Sequence, residues 1–424
     1  MHILISAVGS YGDVYPFVGL ARELRDRGHE VVLFSNEYFR VAAESEGVDF
    51  APVGTAALYE ETIRHPDLWH PTRSVGHVFG MVTKYARLSY ESLLERYRDG
   101  ETLVVGSTLA FGARLIRDTH GGKLVSVHLA PNVFRSNEDA IQLPNRTIPA
   151  GAPTWLKEGL WWLVDRAAID PLIAPALNDF RAELGLEPVK RVFKNWIHSP
   201  DCVIGFFPDW FAPKRDDWPV QVALTGFPLY DAAEHEPLPE ELEAFLRAGP
   251  APVLFAPGSA NTAAREFFDI SLRACETAGL RALFVSRYGS QMTAAMPDWA
   301  RHFDYLPFSE VLPRCRAFVS HGGIGSVSQA FRAGVPQIVR AMAFDQFENG
   351  HRAERLGVAR LLPARSYEEP AIVTALEELA SPECASACRS VAERFGGKPA
   401  LAAAAELVER VGATVTATAS ASAR

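Results

Sequence analysis

The first 35 residues read as strand, loop, helix and strand again, and that order restricts the chain to folds built on a parallel sheet. His2 to Val8 is a short apolar run, the pattern of a buried strand. The loop Gly9-Ser10-Tyr11-Gly12-Asp13 follows it, and then a helix is expected from about Pro16 to Arg27. Phe17, Leu20, Ala21 and Leu24 recur at helical spacing, Pro16 suits a first helical turn, and Gly28 suits the position just past the end. Glu30 to Ser35 is the next apolar run. Two strands joined through a helix lie parallel, because a hairpin turn could join them only antiparallel.

The same rhythm returns at 102–107, 123–129 and 202–207. Between these runs, 55–100 and 131–200 are irregular and aromatic (Trp69, Phe79, Trp155, Trp161, Trp162, Trp196), which reads as loops and helices laid over strand ends. A turn-rich acidic stretch, 226–240, reads as a linker. Beyond it the rhythm starts afresh at 253–256, 281–286, 316–320 and 337–341. With 424 residues, two domains are the economical division. The expected fold is α/β, with two doubly wound, Rossmann-like parallel-sheet domains (1–225 and 241–411) facing across a cleft. The small polar tail, 412–424, is expected to be disordered.

Composition narrows the partners. A formal charge of −9 argues against a nucleic-acid binder, which needs clustered cations to neutralise phosphates. Five scattered cysteines do not make a disulfide scaffold and fit a reducing compartment. No signal-peptide pattern opens the chain, and no run of 18 apolar residues could span a bilayer, so a cytoplasmic protein is expected. Nor is there a polybasic patch for docking on a membrane, although transient contact with a membrane surface stays open.

The strongest local motif is His321-Gly322-Gly323-Ile324-Gly325-Ser326, between an expected strand and an expected helix. Glycines let a backbone approach a ligand, and a helix N-terminus offers free N–H groups with a partial positive charge, an arrangement suited to a diphosphate. A tight turn with no ligand has the same spacing. The turn Gly258-Ser259 stands at the equivalent point after the half's first strand, and both turns lie where open α/β sheets bind ligands. Asp345, Gln346 and Asn349 offer the mixed donors and acceptors that sugar hydroxyls need, or a helix cap with solvated neighbours. Asp13 in the first loop could take a proton from an acceptor hydroxyl, or could cap the helix. No His, Cys or carboxylate cluster has metal-ligand spacing, and neither G-x-G-x-x-G, G-x-S-x-G nor a phosphate loop ending in Gly-Lys-Ser/Thr is present.

These loops, in this order, resemble the GT-B glycosyltransferases that decorate natural products, sterols and lipids. The segments GSYGDVYPFVGLARELRDRGHEV and HGGIGSVSQAFRAGVPQIV…DQFEN carry the likeness. Closest in pattern is the rhamnosyltransferase family of mono-rhamnolipid biosynthesis, to which PDLWHPTRS, VVGSTLAFGARL, KRVFKNWIHSPDCV, PDWFAPKRDDWP and LTGFPLYD are similar. The resemblance implies an inverting, metal-independent transfer of L-rhamnose from dTDP-L-rhamnose to a 3-(3-hydroxyalkanoyloxy)alkanoic acid, with no cofactor beyond the nucleotide sugar. It implies Asp13 as the base, Gly258, Ser259, His321, Gly322, Gly323, Gly325 and Ser326 at the diphosphate, Tyr305 and Leu306 at the nucleobase, and Asp345, Gln346 and Asn349 at the sugar. The chain departs from the pattern at Arg340, Ala341 and Phe344, which bears on the identity of the sugar. Gln329 stands where UDP-sugar relatives carry a ribose-binding glutamate, which tilts the donor towards dTDP. A polyketide, macrolide or sterol acceptor, with a dTDP- or UDP-sugar, is the alternative enzyme. A non-catalytic sugar-nucleotide-binding partner protein is the alternative of another class.

Overall fold

The computed structural model describes residues 1–70, 73–143, 146–230, 237–292 and 296–422. The chain forms two units. The first runs from Met1 to Leu68, resumes through Tyr230 and takes the chain back from Lys398; the second holds Trp69 and the chain up to Gly397. Residues 231–236 of the expected linker lie outside the described residues.

The first unit is built on a seven-stranded sheet. Its strands are β1 (His2–Ser6), β2 (Glu30–Ser35), β3 (Asp49–Pro52), β4 (Thr102–Ser107) and β5 (Lys123–His128). A hairpin of β6 (Ile141–Leu143) and β7 (Arg146–Ile148) stands apart, and β8 (Cys202–Gly205) and β9 (Val222–Leu224) complete the sheet. The order is β3-β2-β1-β4-β5-β8-β9, and every neighbouring pair is parallel. The direction of winding therefore reverses beside β1, between β2 and β4.

In the second unit, β10 (Val253–Ala256), β11 (Ala282–Val285), β12 (Ala300–Phe303), β13 (Ala317–Ser320), β14 (Gln337–Val339) and β15 (Ala359–Leu361) form a parallel sheet. Its order is β12-β11-β10-β13-β14-β15. Its reversal falls beside β10. In doubly wound sheets, ligands bind at the strand C-terminal ends next to such a reversal.

Two expectations about the ends of elements are corrected. The first helix begins at Tyr11, five residues before Pro16, because Ser10 caps it. Pro16 thus sits inside the helix, where it cannot donate to the Gly12 carbonyl; Gly12 is exposed, so water can take that bond. At the other end of the chain, helix Ala400–Ser422 covers most of the stretch expected to be disordered, and it belongs to the first unit rather than the second. Glu409 accepts from Arg27 and pairs with His29 at 2.9 Å, and Arg27 also donates to the Ala402 carbonyl. Gly19, inside the first helix, lies so near Leu401 that a Cβ there would stand 2.8 Å from its side chain.

Candidate active site

In the first unit, the turn after β1 positions Asp13. Asp13 is the third residue of helix Tyr11–Asp26, and its Oδ2 accepts from the Ser10 backbone N–H at 2.8 Å and from the Ser10 hydroxyl at 3.0 Å. This is a capping box, the local arrangement that starts the helix. The turn is held close by Gly9, whose φ of +141° is open to glycine alone and whose position would drive a Cβ into the Asp13 carboxylate. Burial raises the Asp13 carboxyl above the usual carboxylate range; the two bonds from Ser10 pull the other way and do not cancel it. A carboxylate raised in this way is a better base at neutral pH than an exposed one.

The strand ends β4 and β5 add a second polar group to this unit. Thr108 bonds His128 Nδ1 at 2.9 Å, and His128 Nε2 meets His198 Nδ1 at 3.0 Å. Burial lowers both imidazoles, His198 to about 4, so the pair is neutral near pH 7. Farther along, a cavity of about 530 Å³ is lined by three tryptophans (155, 161 and 162), by the cations of Arg135, Arg191 and Lys194 and by the carboxylates of Glu158 and Asp217, among others. The helix beside it, Thr154–Val164, has its polarity inverted. Lys157 is buried, donating to the carbonyls of Asn137, Asp139 and Ala150, while Trp155 and Trp162 are 72% and 53% exposed. These two tryptophans are therefore not core, unlike Trp196 and Trp218, which are buried.

In the second unit, three strand ends converge. After β13, the His321 ring lies between two glycines. A Cβ on Gly258 would stand 3.0 Å from the ring, and one on Gly323 would stand 2.6 Å from its Nε2. Gly258 (φ +100°) and Gly322 (φ +89°) also need left-handed backbone. The ring is enclosed, its Nδ1 has no hydrogen-bond partner, and burial lowers it to about 4, so it is a neutral imidazole. Gly323 precedes helix Ile324–Ala333, whose N-terminus has no side-chain cap. Gly325 faces open space and Ser326 is half-buried, so the uncapped N–H groups are accessible to an anion. Ser259, after β10, is exposed.

The 345–349 group divides in two. Gln346 is buried, and its Oε1 accepts from the backbone N–H groups of Met342 (2.7 Å) and Ala343 (3.0 Å). Its amide nitrogen is the part left to address a ligand. Asn349 is fully buried, and its Nδ2 donates both to the Gly322 carbonyl at 3.0 Å and to Asp345 Oδ2 at 2.6 Å. It ties the glycine turn to Asp345, and its Oδ1 is left without a partner. Tyr305 is exposed, with the Arg287 guanidinium 6.0 Å from its ring centre, whereas the Leu306 side chain is packed in the core and leaves only its backbone for a base.

Two residues of this region, Trp69 and Phe344, were given no place in the site by the sequence. Trp69 donates from Nε1 to the Ala260 carbonyl at 3.3 Å and sets its ring edge-on to His321 and Phe344. Phe344 holds φ +58° with its side chain 42% exposed, strain that a large residue adopts only where its surroundings impose it. Among the described residues, no group of three His, Cys, Asp or Glu side chains is gathered as a metal site.

Residues 3–92 match the N-terminal domain of glycosyltransferase family 28, and 283–413 match the C-terminal domain of erythromycin biosynthesis protein CIII-like proteins. An O-mycaminosyltylonolide 6-deoxyallosyltransferase of Streptomyces fradiae is 29% identical, over 96% of this chain and 97% of its own length. Among solved structures, a kitacinnamycin glycosyltransferase superposes with a TM-score of 0.74 at 19% identity, covering 97% of this chain and 98% of that one. The spinosyn rhamnosyltransferase SpnG, complexed with thymidine diphosphate, superposes at 0.67 with 18% identity, covering 96% of this chain and all of that one. Both structures have the GT-B fold, and the two parallel-sheet units described above are that fold. No helix of the described residues is long and apolar enough to cross a membrane.

Proposed function

We propose that this chain, a glycosyltransferase of the natural-product GT-B type, moves a 6-deoxysugar, L-rhamnose in the first instance, from its dTDP ester to a hydroxyl on an apolar acceptor. The observation that carries the donor reading is the turn at 321–326. A neutral imidazole gripped between Gly258 and Gly323 stands beside an uncapped helix N-terminus, a place for charge to be received without a side-chain cation. Gln329 in place of a ribose-binding carboxylate favours the deoxyribose of dTDP, and thymidine diphosphate is the ligand held by the spinosyn enzyme.

In the proposed reaction, Asp13 accepts the proton of the acceptor hydroxyl as that oxygen attacks the anomeric carbon. The bond from that carbon to the phosphate oxygen breaks, and its electron pair leaves with the diphosphate. The helix N–H groups meet the charge that develops there, and the anomeric configuration inverts. Asp345 and the Gln346 amide nitrogen address the sugar hydroxyls. The tryptophan-lined cavity of the first unit has the volume and mixed lining of a small-molecule site and is assigned to the acceptor.

For the acceptor itself, the mid-chain resemblance points to a 3-(3-hydroxyalkanoyloxy)alkanoic acid. A macrolide hydroxyl is the second reading, favoured by the tylonolide-glycosylating relative at 29% identity. A transfer assay in EDTA separates them: dTDP-L-rhamnose, dTDP-glucose and UDP-glucose, each offered with the lipid dimer and with a macrolide aglycone, products followed by mass. Rhamnosyl transfer to the lipid supports the first reading, and transfer to the aglycone alone replaces it with the second. Transfer only from UDP-glucose retracts the dTDP assignment. Transfer abolished by EDTA and restored by a divalent ion overturns the metal-independent mechanism.

A further inference from the structure

Buried polar atoms without partners are costly, and a native structure keeps few of them away from a ligand site. Among the described residues of the second unit, four such side-chain atoms stand out: His321 Nδ1, Gln337 Oε1, Arg340 Nε and Asn349 Oδ1. Gln337 begins β14, at the far end of the sheet. The other three lie at the C-terminal ends of β13 and β14 or on the helix that follows. Of these, Arg340 alone carries a charge.

Arg340 is the first residue after β14, and its backbone N–H donates to the Ser320 carbonyl at 2.8 Å, placing it directly beside the residue that precedes His321. Its guanidinium is stacked near the rings of Phe267 and Tyr367, 5.6 and 5.3 Å from their centres. Both rings are buried, and they hold the cation in place without accepting from its N–H groups in the plane. The Met342 thioether, a weak acceptor, takes one bond at 2.9 Å. No carboxylate among the described residues forms an ion pair with it, and Glu266 favours its charge only from beyond ion-pair distance. Burial works against its charge, yet part of the residue keeps contact with solvent, which leaves a ligand a way to it. A largely buried, donor-only cation in this state lacks an anion.

The strand order says which anion. Along the edge β12-β11-β10-β13-β14, Tyr305 follows β12, Ser259 follows β10, His321 follows β13, and Arg340 and Asp345 follow β14. A nucleotide sugar laid in that order, base at Tyr305 and sugar at Asp345, brings its sugar-side phosphate to the gap between β13 and β14. We infer that Arg340 is a second anion-binding group of the donor site, taking the sugar-side phosphate of a nucleoside diphosphate through its guanidinium. This rests on the donor reading given above and assigns that reading a residue outside the glycine turn.

The test is calorimetric binding of dTDP and of dTMP, which lacks the second phosphate, to the full-length protein and to Arg340→Met. Loss of a charge-assisted pair is expected to weaken dTDP about ten- to a hundredfold and dTMP less than about threefold. Equal weakening of both ligands, or none, overturns the assignment of Arg340 while leaving the donor reading standing. A wild-type protein that binds neither ligand retracts the donor reading and the Arg340 assignment with it. Should Met at this position unfold the second unit, Arg340→Lys carries the test. It keeps the charge but loses the fork, so dTDP should weaken about tenfold at unchanged dTMP affinity, and an unchanged dTDP affinity refutes the inference.

Discussion

Replacing Asp13 by Asn separates the base from the cap, because the two roles predict opposite things. As the base, Asp13 contributes a proton acceptor that an amide cannot replace. General-base contributions of about 10²–10⁴ in rate correspond to about 3–5 kcal/mol of transition-state stabilisation, so turnover should fall by that factor at unchanged donor affinity. As a cap, Asp13 holds two bonds from Ser10, and Asn Oδ1 can accept them in its place. Burial has raised the Asp13 carboxyl, so its ionised form opposes folding: the stability it contributes is full below the unfolded-state value and is lost as pH rises through the folded one. At pH 7 the Asn variant should therefore melt no lower than the wild type, while its activity collapses. The assays are single-turnover transfer, calorimetric dTDP binding and thermal melting on the same preparation. Near-normal turnover would refute the base assignment. A melting point several degrees lower with turnover intact would show Asp13 to be a cap and nothing more.

Other expectations follow from the same geometry. Ser10→Ala removes one bond to the Asp13 carboxylate, so the acid limb of kcat/KM should move to higher pH with the plateau retained; an unmoved limb contradicts the link between them. Gly323→Ala adds a Cβ in an allowed backbone region but against His321, at an overpacking cost of about 1–3 kcal/mol. In a His321→Ala background that penalty should disappear from the melting curve, and an equal loss in both backgrounds would show the clash is elsewhere. His198 sits at about 4 instead of 6.5, so the fold should lose about 3 kcal/mol through it as pH falls across that interval; His198→Asn should flatten this part of the acid-unfolding profile. Deleting residues 400–424 should speed hydrogen exchange in β4, β5 and β8, which the last helix covers, and leave β10 to β15 unchanged; the reverse pattern would move that helix to the other unit.

How much was legible beforehand depended on how long each element is and what it touches. The central strands read as apolar runs because both faces of a parallel sheet are covered, and β1, β2, β4, β5, β8, β10, β11, β13 and β14 all stand where such runs occur. The edge strands did not. β3 is DFAP, β12 is ARHF and β15 is ARL, four residues or fewer with one side unpaired, and their charges and proline break the run; β9, VAL, is apolar but only three residues long. The glycine turn was legible because its backbone needs are local: Gly258 and Gly322 hold φ values that other residues resist. What holds the turn was not. Asn349 reads as one more polar residue after a strand, and only the folded chain shows its amide bracing Gly322 against Asp345.

By itself, then, the sequence determined the alternation of strand and helix, the two parallel sheets and the places where backbone could approach a ligand, because all of these depend on neighbours within a few residues. The tertiary structure decided the return of the last helix to the first unit, the packing of Trp69 beside His321, and the burial of Arg340 over Phe267 and Tyr367 with no carboxylate partner among the described residues. Each of those joins residues tens to hundreds of positions apart. Whether a side chain ends up paired, stacked or stranded there depends on a packing that no local pattern encodes.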